Sequence, residues 1–280
     1  MHVEPLDFHH RDLLQDRFQN LQLDISEYSF ANLFLFRHTH QYEMMTLDEK
    51  LFIKGTSYDK KTYAMPTYDI STENEEFLRS LLQHVDMLYP IPEVWAKPLI
   101  HKGFQIHSLD DDNDYIFCVD TLKQYSGRHL ASRRNLVAQF KSQYQATISP
   151  ISPSTIDQAL QVVSSWSKQH KGQQVDDSSA CREAIKNCER LHLTGMLFSV
   201  EEIPVGFIIG EPLMREMFVL HFAKADIQYK GIYQFMYQEF AKAASNYRFL
   251  NWEQDLGEPG LRQAKKSYAP QHLVKKMRAM

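Results

Sequence analysis

The chain has 280 residues, with 31 Lys and Arg against 35 Asp and Glu, so its formal charge at pH 7 is −4. Hydrophobic residues make up 43% and charged residues 24%, which is typical of globular proteins and excludes disordered, collagenous and coiled-coil chains. The longest apolar runs, such as residues 203–209, are far shorter than the ~20 residues of a membrane-spanning helix. The sequence therefore predicts a soluble protein with one large core or two.

The first half of the chain predicts helices around a meander of short strands. The aromatic-rich residues 28–36 predict a buried, partly extended segment, and residues 73–88 show helical spacing of apolar side chains before Pro90 and Pro92. The other predicted elements are a helix over 8–21 and strands over 42–47, 51–54, 61–65 and 115–119.

The second half repeats this order of elements after the proline- and serine-rich residues 149–153. Its predicted elements are helices over 159–166, 179–191 and 228–244, and strands over 193–200, 205–210, 217–222 and 249–252. The shared order predicts a duplicated α+β unit with mixed or antiparallel sheets. We expect one domain over residues 1–148 and a second over 149–280.

Basic residues cluster in two stretches although the total charge is nearly balanced. Residues 121–156 contain five Lys and Arg and no acid, and residues 259–280 contain six and no acid. Two interpretations are open, namely solvated helix faces and surfaces that attract an anionic partner.

A possible phosphate-binding turn lies between a predicted strand and the helix over 228–244. Gln228-x-x-Gly231 resembles the turn with which N-acetyltransferase-like folds direct helix N-terminal amides at a pyrophosphate. That turn normally ends in a small residue, and here Tyr233 stands in its place. Gln228 and Gly231 are therefore candidate ligands, whereas Tyr233 weakens the case for an acyl-coenzyme A cofactor.

Metal and disulfide chemistry are not predicted. Cys118, Cys181 and Cys188 show no CxxC spacing and cannot all pair, which favours a reducing cytoplasm. His38 and His40 would share one face of a strand, but solvent-facing histidines explain this spacing better than a metal site.

The chain resembles the phosphatidylglycerol lysyltransferase C-terminal domain family (DUF2156), which is related to the Fem aminoacyltransferases. The stretches that carry the resemblance are residues 24–37, 125–135, 221–231 and 251–270, and the last is the most specific. The resemblance implies two tandem GNAT-like (acyl-CoA N-acyltransferase-like) domains and transfer of an aminoacyl or acyl group. The family pattern has Arg at the position of Trp252, and the membrane-bound synthases carry a transmembrane half that this sequence lacks, so a lipid acceptor is in doubt.

The resemblance, together with the chemical needs of acyl transfer, suggests site residues. Lys265 occupies the lysine of the family's A-K-x-x-Y-x-P stretch, which includes Tyr268, and is the candidate holder of an oxyanion or phosphate. Glu253 and Asp255 are the candidate orienting or basic carboxylates. The candidate substrate-binding residues are Arg262, Arg128, Arg134, Asn135, Gln228, Gly231 and Tyr268.

Structural alternatives remain open for these residues. Glu253, Asp255, Arg262 and Lys265 could form an ion-pair set that holds the carboxy-terminal segment in place. In residues 127–135, an Arg or Asn that ties the domains together competes with binding of an anionic substrate.

Two functions follow from these observations. The first is an acyltransferase or aminoacyltransferase that takes its group from aminoacyl-tRNA or an acyl thioester and passes it to an amine or hydroxyl. A tRNA partner would make binding fall steeply with salt, whereas DNA is not expected, and membrane contact would be peripheral at most. The second is a non-catalytic binding module on a degenerate tandem fold.

Overall fold

The computed structural model describes residues 1–169 and 177–280. The described chain forms two compact units. Unit 1 contains Met1–Tyr115, Gln254–Gln263 and Leu273–Met280, and unit 2 contains Ile116–Glu253 and Ala264–His272. Because both units take chain from both halves, they do not test the boundary between residues 148 and 149, which stays a prediction.

The elements of the first half include the predicted first helix and the strands near residues 42–47, 51–54, 61–65 and 115–119, together with others that the sequence did not predict. They are β1 (His2–Pro5), α1 (Arg11–Leu21), α2 (Phe30–His40), β2 (Glu43–Leu47), β3 (Lys50–Thr56), β4 (Thr62–Pro66), α3 (Glu75–Leu81), β5 (Met87–Pro92), α4 (Glu93–His101), β6 (Ile106–Ser108), β7 (Asp114–Cys118), α5 (Val119–Gln124) and α6 (Ala131–Gln143).

The second half repeats the arrangement of strands around a long helix. Its elements are β8 (Ala146–Pro150), α7 (Ile156–Gln169), α8 (Ser178–Lys186), β9 (Thr194–Val200), β10 (Ile203–Met214), β11 (Met217–Ala225), α9 (Ile232–Ala243), β12 (Phe249–Asn251), α10 (Pro259–Lys266), β13 (His272–Val274) and β14 (Lys276–Ala279).

Each half of the chain contributes one strand to the other half's sheet. The first sheet has the order β1-β2-β3-β4-β5-β14-β6, and the second has the order β13-β7-β12-β11-β10-β9-β8. Strands β4 and β5 are parallel, as are β11 and β12, while their other described neighbours are antiparallel. The predicted duplication and the mixed sheets are confirmed.

Apolar strand faces form the core of each unit. In unit 1, Phe52, Met45 and Ile91 pack with the helix residues Leu78 and Leu99, and all five are fully buried. Removing such side chains from water is the main favourable term in folding. Among residues 1–169 and 177–280, no helix has the length and apolarity required to cross a bilayer.

Two predicted elements of the first half were wrong in type or extent. Residues 30–40 are helical rather than extended, because the Ser29 side chain accepts a hydrogen bond from the Asn32 N–H and caps α2. The predicted helix over 73–88 ends at Leu81, and Pro90 and Pro92 lie in β5 instead of marking a helix end. Tertiary pairing with β14 holds this strand despite its prolines.

Candidate active site

Strand β11 of unit 2 carries a β-bulge at His221. Phe222 pairs with Ile209 and Leu220 pairs with Gly210, so His221 is the extra residue in the register with β10. On its other side, β11 pairs with β12 only over Met217–Val219, although β11 continues to Ala225. Bulges re-aim side chains and occur often beside active sites. The bulge at His221 thus lies just beyond Val219, the last residue of β11 that pairs with β12.

The His221 imidazole lies between two carboxylates. Its Nδ1 is 2.8 Å from Glu253 Oε1, and its Nε2 is 3.0 Å from Glu211 Oε1. The imidazole is fully buried, whereas the side chains of Glu211 and Glu253 are 16% and 15% exposed. We call Glu211, His221 and Glu253 the carboxylate–imidazole trio.

The carboxylates keep this imidazole protonated. Burial alone would lower the pKa of His221, but its hydrogen bonds and charge interactions with Glu211 and Glu253 raise that pKa to about 9. A protonated imidazole donates from both ring nitrogens, which matches the two carboxylate oxygens. A pKa of about 9 favours the protonated imidazole of His221 between the two carboxylates at neutral pH.

Lys265 holds the backbone turn that presents Glu253. Its buried Nζ donates to the carbonyl of Trp252 at 2.6 Å and to that of Glu253 at 3.1 Å. Glu253 has a left-handed φ of 58°, and its N–H donates to Asn251 Oδ1 at 2.7 Å. The structure thus brings the predicted residues Lys265 and Glu253 together, with the lysine bonded to backbone carbonyls. Its role as an oxyanion holder stays a prediction.

Trp252 lies in a cluster of aromatic rings. Its ring stacks on Tyr237 at 4.1 Å, and it lies 4.1 Å from Phe117 and 5.2 Å from Tyr268. The Tyr268 hydroxyl accepts a hydrogen bond from Gln234 at 2.8 Å. The predicted substrate residue Tyr268 therefore packs beside the turn that Lys265 holds.

The start of α9 does not have the open form of a phosphate-binding turn. Gly231 has a φ of 91°, and a Cβ there would clash with the carbonyl oxygen of Leu136, so close packing against α6 requires this glycine. The Tyr233 hydroxyl accepts the N–H of Ala225 at 3.2 Å, while Gln228 is exposed. Tyr233 thus uses a strand-end N–H that a ligand could otherwise bind.

Asp255 and Arg262 come together in unit 1. Arg262 donates to both Asp255 oxygens, at 2.8 and 2.7 Å, and also to Asp111. Asp255 accepts further bonds from the Tyr115 hydroxyl at 2.6 Å and the Gly257 N–H at 2.9 Å. Burial raises the pKa of Asp255, but these donors outweigh it and lower the pKa below its ordinary value. This bidentate pair has the geometry of the predicted ion-pair alternative.

The two basic stretches differ. In unit 2, Arg128, Arg134 and Asn135 are exposed, and Arg134 donates to the carbonyls of Gly127 at 2.8 Å and of Tyr125. In residues 259–280, by contrast, Lys276 and Arg278 are buried in ion pairs. These two cations are neither on a solvated helix face nor on a surface that attracts an anionic partner, because carboxylates far away in sequence pair with them.

The histidines considered for metal binding lie elsewhere. His38 and His40 are on helix α2 rather than on a strand, and His40 Nδ1 lies 2.9 Å from the carbonyl of Thr56. In the described ranges, Glu4, His9 and His10 bring candidate ligand atoms within 4.8 Å of one another. His10 Nε2 lies 3.2 Å from Glu4 Oε1, which gives this group a hydrogen-bonded structure of its own.

His221 and Glu211 were missed by the sequence reasoning. A single histidine in an apolar strand has no spacing signal, and its partners lie 10 and 32 residues away. The polar residues His221 and Glu211 in largely apolar strands were the available sign, because buried polar groups need partners.

Comparison with known proteins identifies the family of the chain. The family model "Phosphatidylglycerol lysyltransferase, C-terminal" matches residues 18–280. No curated protein matches the chain. A conserved protein of unknown function from Bacteroides thetaiotaomicron is 26% identical, with a TM-score of 0.84 over 99% of this chain and 98% of that one.

Two more distant structures share the fold. L-PGS from Bacillus licheniformis is 14% identical, with a TM-score of 0.62 over 95% of this chain and 90% of that one. FemX is 10% identical, with a TM-score of 0.60 over 100% of this chain and 97% of that one. The fold is thus the tandem GNAT-like fold that the resemblance implied. The chain belongs to the phosphatidylglycerol lysyltransferase C-terminal domain family.

Proposed function

We propose that unit 2 transfers an aminoacyl group from aminoacyl-tRNA to a nucleophilic acceptor. The observation that carries the proposal is the carboxylate–imidazole trio at the bulge of β11, beside the end of its pairing with β12. Family membership supports transfer as the reaction class. Glu253 is the proposed catalytic carboxylate, and Lys265 is proposed to hold it through the turn at residues 252–253.

The backbone of β11 supplies a donor for the reacting carbonyl. Asp226 N–H donates to Val205 of β10, whereas Ala225 N–H donates to Tyr233 and so points away from β10. Because strand residues alternate, the N–H of Ala223 points to the same side as that of Ala225. We assign Ala223 N–H as the oxyanion donor, since such amides stabilise the charge that develops on an attacked carbonyl.

Tyr233 favours an aminoacyl-tRNA donor over an acyl thioester of coenzyme A. Its hydroxyl engages the Ala225 N–H, and Gly231 packs against α6, so neither group supports a pyrophosphate there. Exposed Arg128, Arg134 and Asn135 of unit 2 are suited to contacts with an RNA backbone. These three residues, with Gln228, are the proposed donor-binding residues.

The test is release of the aminoacyl group from charged tRNA, measured with the purified protein at several salt concentrations. We expect release and binding that weaken steeply with salt, and weaker binding for Arg128→Ala, with Lys97→Ala of unit 1 as the exposed control. Transfer from acetyl-coenzyme A instead would show that the donor is an acyl thioester and not aminoacyl-tRNA.

A non-catalytic binding module is the second candidate. The observation that favours it is the filled aromatic cluster at Trp252, where three rings pack against the indole. Salt-sensitive tRNA binding without release of the aminoacyl group would support this candidate.

A further inference from the structure

We propose that Asn251 is a positioning residue of unit 2, which holds Glu253 in a left-handed backbone conformation and so directs the Glu253 carboxylate to His221. This inference rests on the proposed function, because Glu253 is the proposed catalytic carboxylate there. It assigns the aim of that carboxylate to a residue that acts through the backbone, two positions earlier in the chain.

Glu253 has a backbone conformation that residues with a side chain rarely adopt. Its φ is 58°, in the left-handed region, where the Cβ of an L-residue lies too close to the following carbonyl oxygen. This crowding disfavours the conformation about 5- to 30-fold. Strained residues of this kind persist where their surroundings hold them, and they cluster at functional sites. The carboxylate at this position thus comes with a backbone cost that glycine would avoid.

Asn251 and Lys265 hold the Glu253 backbone on both sides of its Cα. Asn251 Oδ1 accepts the Glu253 N–H at 2.7 Å, and Lys265 Nζ donates to the Glu253 carbonyl at 3.1 Å. The first bond joins a side chain to the N–H two residues further on, which is an Asx turn. Because each bond fixes one of the two peptide groups that flank the Cα, together they restrain both backbone dihedrals of Glu253.

Asn251 is a fixed support because it ends a strand that is paired on both sides. It pairs with Val219 of β11 in parallel register and with Ile116 of β7 in antiparallel register. Its exposure is 0%, and a buried amide needs partners for its polar atoms. The Glu253 N–H is one such partner. Strand β12 therefore ends in a rigid acceptor at the point where the chain turns.

The turn determines where the Glu253 carboxylate points. If β12 continued, Glu253 would lie on the same face as Asn251, because side chains alternate along a strand. The left-handed residue breaks this alternation, and Glu253 Oε1 lies 2.8 Å from His221 Nδ1. The imidazole is fully buried, whereas the Glu253 side chain is 15% exposed. The carboxylate is thus set in contact with His221 and stays accessible from the surface.

A purely structural turn leads to a different expectation. In that case, loss of the Asn251 acceptor would lower stability and leave the contact between Glu253 and His221 in place. If Asn251 is a positioning residue, its loss also changes the protonation of His221. Glu211 and Glu253 face the two ring nitrogens and raise the pKa of His221 to about 9 against the effect of burial. With Glu253 displaced, one carboxylate remains to oppose that effect.

The first test measures the titration of His221 from its ring nitrogen signals in 15N-histidine-labelled protein, assigned by their absence in His221→Gln. Asn251→Leu keeps the shape of the side chain without its acceptor, and we expect the proton affinity of His221 to fall at least ~10-fold. Asn251→Ser can form a weaker turn of the same kind and should give an intermediate value. Leu250→Ala, a fully buried neighbour in β12, should lower stability and leave the titration unchanged. A wild-type titration in folded Asn251→Leu would overturn the proposal.

The second test measures the backbone strain and does not require the Asn251 variants to fold. Glu253→Gly and Glu253→Ala both remove the carboxylate, but only glycine adopts the left-handed region without crowding. In chemical denaturation we expect an equilibrium constant of unfolding about 5-fold lower for Glu253→Gly. The same pair of changes at Glu183, in helix α8, should give the opposite order. Equal stability of the two Glu253 variants, or greater stability of Glu253→Ala, would overturn the proposal.

The third test separates this proposal from the proposed function. For release of the aminoacyl group from charged tRNA, we expect kcat at least ~10-fold lower in Asn251→Leu with KM within about twofold, and wild-type values in Leu250→Ala. Wild-type kcat in Asn251→Leu, despite a changed titration of His221, would overturn the positioning role in catalysis. Absence of release by the unaltered protein would overturn the proposed function, while the titration still decides whether Asn251 directs Glu253 to His221.

Discussion

The two units use the same pair of parallel strands in different ways. In unit 2, β11 is bulged at His221 and pairs with β12 over three residues. In unit 1, β4 pairs with β3 without a register shift over its whole length and with β5 over two residues, Tyr63 and Ala64. A single inserted residue thus separates a regular strand from one that presents a histidine to two carboxylates.

The residues at the unit 1 strands form a closed set of contacts. The Tyr63 hydroxyl donates to that of Tyr42 at 3.0 Å, Tyr63 packs edge-on to Tyr89, and the Tyr28 hydroxyl donates to the Pro90 carbonyl at 3.1 Å. All four of these tyrosines are buried. The comparison is consistent with our proposal that unit 2 carries the chemistry, while the contacts of unit 1 serve stability.

The largest expected effect is on the buried ion pairs of unit 1. Lys276 Nζ lies 2.6 Å from both Glu27 and Asp114, and all three side chains are buried. Lys276→Met removes the cation that pairs with two buried carboxylates and should lower the free energy of unfolding by about 3–5 kcal/mol in chemical denaturation. Lys275→Met is the matched control, because its exposed pair with Glu93 contributes less than about 1 kcal/mol. Equal effects of the two variants would contradict this account of unit 1.

The pH dependence of stability should separate the units. A group whose pKa is raised by folding stabilises the fold below its ordinary pKa and loses that contribution as pH rises through the folded value. For His221 the interval runs from pH 6.5 to 9, and the loss amounts to at most ~3 kcal/mol. For Glu27, whose burial raises the pKa to about 7, it runs from 4.5 to 7. Chemical denaturation of His221→Gln at several pH values should no longer show the loss of stability between pH 6.5 and 9, while the loss between pH 4.5 and 7 remains. An unchanged loss between pH 6.5 and 9 would show that groups other than His221 cause it.

Lys265 gives a smaller effect that sharpens the assignment in unit 2. Lys265→Met removes a charged donor from two carbonyls and should lower the free energy of unfolding by about 1.5–3 kcal/mol, with Lys266→Met near zero. Chemical denaturation measures this loss of stability, and release of the aminoacyl group from charged tRNA measures whether transfer is lost as well. Full stability with loss of transfer would instead support Lys265 as the oxyanion holder.

The smallest expected effect concerns Tyr233. Tyr233→Phe deprives the Ala225 N–H of its acceptor and should cost about 1 kcal/mol, which corresponds to a fall of about 2 °C in Tm. Thermal unfolding measures the change. An unchanged Tm would show that Tyr233 does not bind this strand end strongly, and that a ligand could compete for the N–H.

The sequence predicted the repeat because its signals are local. Alternating and helical spacings identified the strands β9–β11 and the helix α9, and the motif at residues 251–270 identified the family. The helix over residues 30–40 was missed because its aromatic composition also suits a strand, and only the contact from Ser29 reveals the cap.

The candidate site depended on information that the sequence does not display. Glu253 was predicted, but its partner His221 becomes visible only once β11, β10 and β12 lie in register. Lys265 was predicted from its motif, while its bonds to the carbonyls of residues 252 and 253 depend on how the turn folds. Asp255 and Arg262 were predicted together and do pair, with Asp111 as a partner 151 residues away.

The most direct test of the difference between the units is the rate of aminoacyl transfer to a nucleophilic acceptor by two variants. His221→Gln removes the imidazolium from the trio, and Tyr63→Phe removes the tyrosine contact from the corresponding strand of unit 1. The account predicts that kcat/KM falls at least ~100-fold in His221→Gln and changes by less than about twofold in Tyr63→Phe. Full activity in His221→Gln, or a large loss in Tyr63→Phe with the fold intact, would contradict the placement of the chemistry in unit 2.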